Sequence, residues 1–466
     1  MGIRTLDGGA TRSFDRDYPK RDRARRVHDG QLLQRAVEAY RFFYPTVSME
    51  GAFNGIREVG VEDGKGITVL VAGPRHRILT SNSDTPYAAG VLDLGSAGPI
   101  VIEIPPGPFI GVVDDHHHRW IVDLGLPGAD GGRGGTYLIV PPDHNENVTA
   151  HAWTARSPTN KALFGIRAVP TKNDVAAAFA ALQKVKVYRL SEPDAPMPFV
   201  DITGRDLDAT ALRWENNLEF WKRLHAIIEA EPVLTEFRPM YGELAALGIA
   251  RGRPFPTDLN VIDILERAAT MALEQMRVEA FASKRADRLV WNDRQWEWVA
   301  LGEHTNFETE GYLDLEARDR WFLQAAGASP AMFRRRAGSG SIYFLTARDG
   351  TGAYLDGRYT YRLSVPLPVP ADLFWSVTAY DAHTRTQIRT SQEKAVLGSL
   401  ADGIGVDAVG SIDLYFAPTP PPGREARWIQ TTPGEGFFLY FRIHGPAATS
   451  LDGSWRLGNL VRMEEK

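Results

Sequence analysis

The sequence predicts a mainly β, α+β protein: two β-sandwich or jelly-roll-like domains joined by a helical segment. Three observations predict it. The chain has 466 residues, beyond the length at which one hydrophobic core keeps growing. It holds 44 glycines and 30 prolines, the punctuation of many turns and short strands. Short β-rich runs fill residues 66–141 and recur from Ser341 onward, with helical periodicity between them.

Residues 1–28 are charged and poor in large apolar groups, which predicts a loose arm. A first β-rich domain is expected over 29–210, a helical bridge over 211–300, and a second β domain over 301–466. From Gln31 to Ala52 the residues Leu32, Leu33, Ala36, Val37, Tyr40 and Phe43 recur at helical spacing, with Pro45 closing the run. Strands are predicted at Ile67–Ala72, Arg77–Thr80, Ala88–Leu94, Ile100–Ile104, Gly111–Val113, Trp120–Val122, Tyr137–Val140 and Leu163–Val169. A helix follows over Asn173–Lys184, capped by Asn173 or Asp174. Three more helices are read at Leu212–Ala230, Met240–Leu247 and Leu259–Ser283. The last carries Ile262, Leu265, Ala269, Leu273, Met276 and Ala280 as one buried stripe.

Composition narrows the function classes. Lys and Arg total 53 against 58 Asp and Glu, and a net charge of -5 gives no footprint for nucleic acid. With no cysteine, the fold uses no disulfide, and any metal must be held by His or carboxylates. The basic, apolar-poor start lacks the core of a secretory signal, so a cytoplasmic location is expected. No run approaches the roughly 20 apolar residues of a transmembrane helix. The expected partner is a small-molecule ligand, and a homo-oligomer is compatible with the sequence.

The stretch Asn82-Ser83-Asp84-Thr85-Pro86-Tyr87, followed by Gly90-Val91-Leu92-Asp93-Leu94 and Gly98-Pro99-Ile100-Val101, resembles the first domain of the tandem domain-of-unknown-function family, twelve-fifty-four followed by twelve-fourteen. So do Asp123-Leu124-Gly125 and the run from Gly131 to Pro142. The second domain is similar at Leu355-Asp356-Gly357-Arg358-Tyr359, Phe374 to Asp381, Arg427-Trp428-Ile429 and Leu451 to Trp455. The resemblance covers about residues 50–462 and implies two β-sandwich domains joined by a helical segment, with a ligand cavity and no defined reaction. Around Asp114 and Asp115 the family pattern calls for aromatic and amide residues, where this chain has three histidines.

The run Asp114-Asp115-His116-His117-His118-Arg119-Trp120 is the densest chemistry in the chain. Placed at a strand end, His116 and His118 would share a face opposite His117. Two imidazoles and a carboxylate, from Asp123 or Asp84, would make the site of a divalent metal, zinc or iron. The bland alternative is a loop of histidines bonded to nearby carboxylates. Asp84 and Tyr87 are candidates for general base and acid, set by Pro86, which keeps Thr85 out of a helix; Asp115 and Arg119 join them as catalytic candidates. Equally, Asn82, Asp84 and Thr85 satisfy turn backbone groups.

Asn82, Trp120, Trp375 and Tyr380 are candidate substrate contacts. A regular strand places Trp375 and Tyr380 on opposite faces, one to pack and one to line a pocket. Trp291, Trp296 and Trp298 read as packing. His76, His144, His151, His304 and His444 stand alone in sequence and read as structural. Ser83 lacks the setting of a nucleophile elbow, and the glycines from Gly125 to Gly135 open no helix and form no dinucleotide fingerprint, so no nucleotide cofactor is expected. Three functions follow: a metal-assisted hydrolase of a small ester-like or sulfate-ester-like substrate; a mononuclear non-haem iron oxygenase or oxidase using the same histidines; or a non-catalytic carbohydrate- or lipid-binding sandwich protein.

Overall fold

A computed structural model describes residues 14–144, 153–171, 174–338, 340–400 and 409–464. Helix and strand take nearly equal shares, 29% and 28%, in a mixed α+β fold whose domains are mainly β. The chain divides into two compact units: residues up to Tyr44 with Arg213–Gln275, and Pro45–Leu212 with Met276–Lys466.

The smaller unit is helical. Asn217 accepts the Glu219 amide at 2.9 Å and so starts the helix Leu218–Ala230, whose buried stripe is Phe220, Trp221, Leu224, Ile227 and Ile228. Tyr40 stacks on Phe220 at 4.0 Å, and the Trp221 indole donates to Leu265 O at 2.8 Å. The entry helix differs from its expectation at both ends. It spans Arg21–Glu58, so the residues read as an arm are helical from Arg21, and Pro45 lies inside it. A proline forfeits one helical hydrogen bond, and burial of Tyr44, Val47, Met49 and Phe53 around it outweighs that loss.

The larger unit contains both β domains. In the first, a six-stranded sheet runs in the order Phe199–Asp201, Ile67–Val71, Pro86–Asp93, Lys161–Ala168, Phe109–Asp115, Trp120–Gly125. A four-stranded sheet, Trp153–Arg156, Gly135–Val140, Ile100–Ile104, Lys186–Arg189, packs over it. Strict alternation in Lys161–Ala168 sends Ala162, Phe164, Ile166 and Ala168 into the shared core with Ile100, Ile102 and Ile139. Asp174 caps the helix Val175–Leu182 by accepting the Ala177 amide at 2.8 Å; Asn173, the other candidate cap, lies outside the described residues.

The second domain repeats the plan. A five-stranded sheet, Glu297–Trp298, Ser341–Thr346, Phe437–Pro446, Ala371–Asp381, Val396–Gly398, faces a four-stranded sheet built on Gly410–Ala417 and Tyr361–Leu367. Trp296 is buried in this sandwich core, with Trp291 and Trp298 packed against it. The five-stranded sheet is buried on both faces. Phe437, Leu439, Phe441 and Ile443 enter the sandwich core, while Phe438, Tyr440, Arg442 and His444 point the other way and are also buried. No helix among the described residues is long and apolar enough to cross a membrane.

Candidate functional site

The second face of the five-stranded sheet is unusual because polar and charged residues are buried on it among the apolar ones. Three cross-strand rows are set by register: Ser341, His444 and Phe374; Tyr343, Arg442 and Ser376; Leu345, Tyr440 and Thr378. A buried guanidinium is costly unless its charge is met. Arg442 donates to Thr378 Oγ1 at 3.2 Å and to the Thr80 carbonyl, and its guanidinium carbon lies 5.7, 5.5 and 5.0 Å from the rings of Tyr343, Tyr380 and Tyr440. Cation–π contacts of this kind gain strength when desolvated.

The segment Thr80–Tyr87 of the first domain lies against this face. The Tyr380 hydroxyl donates to Ser81 O at 2.6 Å and Thr80 O at 3.1 Å. Gln387 Nε2 donates to Ser81 O at 3.3 Å, and Ser83 Oγ donates to Gln387 Oε1 at 2.9 Å. The Tyr440 hydroxyl donates to Gln324 Oε1 at 2.6 Å, while Thr80 Oγ1 donates to Gln324 O at 2.8 Å. Within the segment, the Tyr87 hydroxyl donates to Asn82 Oδ1 at 3.1 Å, and Asp84 is buried. The two signature stretches therefore adjoin one another, through Thr80, Ser81 and Ser83 on one side and Tyr380 and Gln387 on the other. Burial pushes the Tyr380 hydroxyl up to about 12, partly opposed by Arg442, so it acts as a hydrogen-bond donor at neutral pH.

The histidine run occupies the hairpin turn between Phe109–Asp115 and Trp120–Gly125, not a strand end, and the alternation expected for it does not hold. His118 sits at φ +59, and its amide donates to Asp115 O at 3.0 Å. Asp115 braces the turn: its Oδ1 accepts the amides of His117 at 2.7 Å and Arg119 at 2.8 Å, and its Oδ2 accepts Arg119 Nε at 2.7 Å. Two of the three buried rings engage the entry helix, and the third engages the loop at Gly327. His116 Nε2 lies 3.3 Å from Glu50 Oε2, His117 Nδ1 is 2.8 Å from Thr46 Oγ1, and His118 Nδ1 accepts the Gly327 amide at 3.1 Å. His116 and His118 thus do not converge, and among the described residues no three His, Asp or Glu side chains are grouped to hold a metal ion.

Beside His118, Asp114 Oδ2 accepts the Ala328 amide at 2.7 Å. Burial raises Asp114 well above the usual carboxylate range, with Asp115 and Asp123 adding to the effect and the Ala328 amide opposing it. Burial also lowers His118 to about 3, helped by His116 and Arg318, so its ring is neutral. Asp123 meets the same Gly327–Ser329 stretch as His118, through a Ser329 hydrogen bond; its Oδ1 accepts the Trp120 indole at 3.1 Å, and burial lifts it to about 6 against the pull of Ser329, Trp120 and Arg334. Trp120 is 42% exposed, whereas Trp375 is committed to the sandwich core, stacked on Phe441 at 5.4 Å. Trp375 and Tyr380 do fall on opposite faces.

Near the edge of the same polar face lies a shallow depression, open to solvent and lined in part by Trp298, Arg334, Arg335, Ser341 and Tyr343. Arg335 stacks over Trp298 at 4.1 Å and donates to Ala300 O at 2.9 Å; among the described residues no carboxylate lies within ion-pair distance of it. Ser341, one of the lining residues, is buried, and its Oγ is 2.5 Å from Nδ1 of the fully buried His444. Local sequence neighbours mark His444 only as a lone, structural histidine and single out neither Ser341 nor Arg442. The available signal was the alternation in Phe438-Tyr440-Arg442-His444, where a second polar set is threaded through an apolar strand. His151 lies outside the described residues, and His304 is exposed.

Comparison with known proteins places the two β domains. Residues 64–189 match the model of a protein of unknown function, DUF1254, and residues 340–448 that of a second, DUF1214. No curated protein matches the chain. Among solved structures it is similar to the VPA0106 protein of Vibrio parahaemolyticus, at 17% identity and a TM-score of 0.57 over 93% of this chain and 100% of that one, which bears on the fold alone. A protein of Burkholderia cenocepacia aligns at 14% identity and a TM-score of 0.40 over 94% of this chain and 96% of that one. With both domain models matched in order, the chain belongs to the family in which a DUF1254 domain is followed by a DUF1214 domain.

Proposed function

We propose that this protein binds a small organic anion, a carboxylate or a sulfate ester, in the depression lined by Arg334 and Arg335. The observation that carries this reading is Arg335, stacked over the Trp298 face at 4.1 Å beside Arg334, with Glu303 and Asp287 near enough to act on its charge but, among the described residues, not within ion-pair distance. Guanidinium groups recognise planar carboxylate and sulfate-like oxygens through paired, charge-assisted hydrogen bonds. The chain as a whole is acidic, with a net charge of -5, so a cationic patch with its own cavity is a local departure.

The metal-assisted reading at His116, His118 and Asp123, hydrolytic or oxidative, has less geometric support, because the rings are directed to Glu50 and to the Gly327 amide. Isothermal titration with succinate and with methyl sulfate tests the anion reading. Saturable binding is expected for at least one of them, with the Arg335→Ala variant roughly tenfold weaker, about 1.4 kcal/mol. Absence of binding for both, or equal affinity in the variant, would refute it.

A further inference from the structure

We propose that Ser341 and His444 are a nucleophile and base that hydrolyse small carboxylic esters bearing a negative charge away from the scissile bond, an inference resting on the anion-binding reading above. Ser341 borders the depression, and its Oγ is 2.5 Å from His444 Nδ1. This is the contact by which a hydroxyl is activated by an adjacent base. The pair is held by the sheet and not by loops, since Ser341 and His444 are direct register partners on neighbouring strands. His444 is fixed from its other side by the Phe374 ring, stacked at 4.0 Å and 26°, so orientation comes from packing where other enzymes use a carboxylate.

The residue before the serine shows how closely the arginine-bearing segment is drawn to it. Gly340 adopts φ +68, and a Cβ there would lie 2.1 Å from Ala331 O, so no larger residue fits. Ser329 caps the short helix Pro330–Phe333, which delivers Arg334 and Arg335 directly after it.

Charge decides which esters suit the pair. Burial lowers His444 well below the usual imidazole range, and Arg167 and Arg442 lower it further. The ring is therefore in its base form, but the imidazolium created by taking a proton is penalised. A carboxylate held by Arg334 and Arg335 supplies the compensating negative charge, so a charged ester would be cleaved in preference to a neutral one. In the reaction, the Ser341 oxygen attacks the acyl carbon while its proton passes to His444 Nδ1. The ester C–O bond breaks, the departing alkoxide takes that proton, and an acyl-serine remains. Water then attacks the acyl carbon, giving its proton to His444 and from there to the Ser341 oxygen as the carboxylic acid leaves. The sum is ester plus water to acid plus alcohol, with no change of oxidation state.

The test uses the full chain with mono-4-nitrophenyl succinate and, as the neutral control, 4-nitrophenyl acetate. The wild type is expected to release nitrophenolate from the charged ester at least tenfold faster than from the neutral one. Ser341→Ala and His444→Gln should each lose at least a hundredfold in rate while binding succinate within about threefold of wild type. Acid-quenched wild-type protein should carry a succinyl group on the Ser341 peptide by mass spectrometry, a readout that does not depend on any variant folding. Succinate binding without turnover, turnover that survives Ser341→Ala, or a succinyl group elsewhere would overturn the proposal and leave the binding reading standing. Failure of both succinate and methyl sulfate to bind would instead remove the reading beneath it, and failure of succinate alone would overturn the proposal.

Discussion

Replacing Arg57 by methionine probes the ion network that leads to the histidine turn. Arg57 Nε and Nη2 donate to the two oxygens of Asp63 at 2.8 and 2.7 Å, and Nη1 donates to Glu50 Oε1 at 2.6 Å. Lys161 also donates to Asp63, at 2.7 Å, and Glu50 faces His116 at 3.3 Å. Removing one partner of a buried charged pair costs ~3–5 kcal/mol. Here the Arg57 side chain is 30% exposed and both acids keep a second partner, so about 2–3 kcal/mol is expected at pH 7.

The loss should also depend on pH. Burial raises Glu50 and Asp63, but His116 and Arg57 for the first, and Arg57 and Lys161 for the second, hold both below the usual carboxylate range. Acids with depressed folded values stabilise the fold above their unfolded values, near pH 4, and that stabilisation disappears as pH falls through the folded values. The gap between wild type and Arg57→Met in urea denaturation should therefore shrink as the pH is lowered from 7 to 3. A gap below about 1 kcal/mol at pH 7 would mean that solvent screens the network. A gap that stays constant to pH 3 would mean that Arg57 acts through the packing of its stem.

Three further outcomes are expected. Tyr380→Phe removes the donor to the Ser81 and Thr80 carbonyls and should cost about 1–2 kcal/mol in calorimetric unfolding; no change would show that the contact between the two signature segments carries no net stability. Asp114→Asn should raise the melting temperature increasingly from pH 4 to pH 8. The folded-state value of Asp114 is raised, so the wild type loses stability as pH climbs past the unfolded value near 4, and asparagine does not titrate; a pH-independent difference would contradict this. Gly327→Ala should destabilise by about 1–2 kcal/mol, measured by urea unfolding, because Gly327 holds φ +92 with its Cβ position 3.3 Å from Asp114 Oδ2; full stability would show that the turn relaxes at no cost.

The sequence by itself determined most strands of the first domain and the cap of one helix, because these depend on local spacing. Alternation in Lys161–Ala168, the apolar run Ile100–Ile104 broken only by Glu103, and the Asp174 cap follow from side chains within a few residues of one another. It also determined that Trp375 and Tyr380 face opposite ways, and the family signatures placed both domains. It did not determine that the helix passes through Pro45, which depends on burial by distant residues. Nor did it give the directions of His116, His117 and His118, since a turn conformation with His118 at positive φ replaced strand alternation. Ser341 and His444 are 103 residues apart, and Tyr380 and Ser81 are 299 apart, so neither pair leaves a local trace. Only the register of Ser341–Thr346 on Phe437–Pro446 makes the first pair, and only the docking of Thr80–Tyr87 on the five-stranded sheet makes the second. Local periodicity fixes which face a side chain takes, while a hydrogen bond between distant residues depends on tertiary packing that brings those faces together.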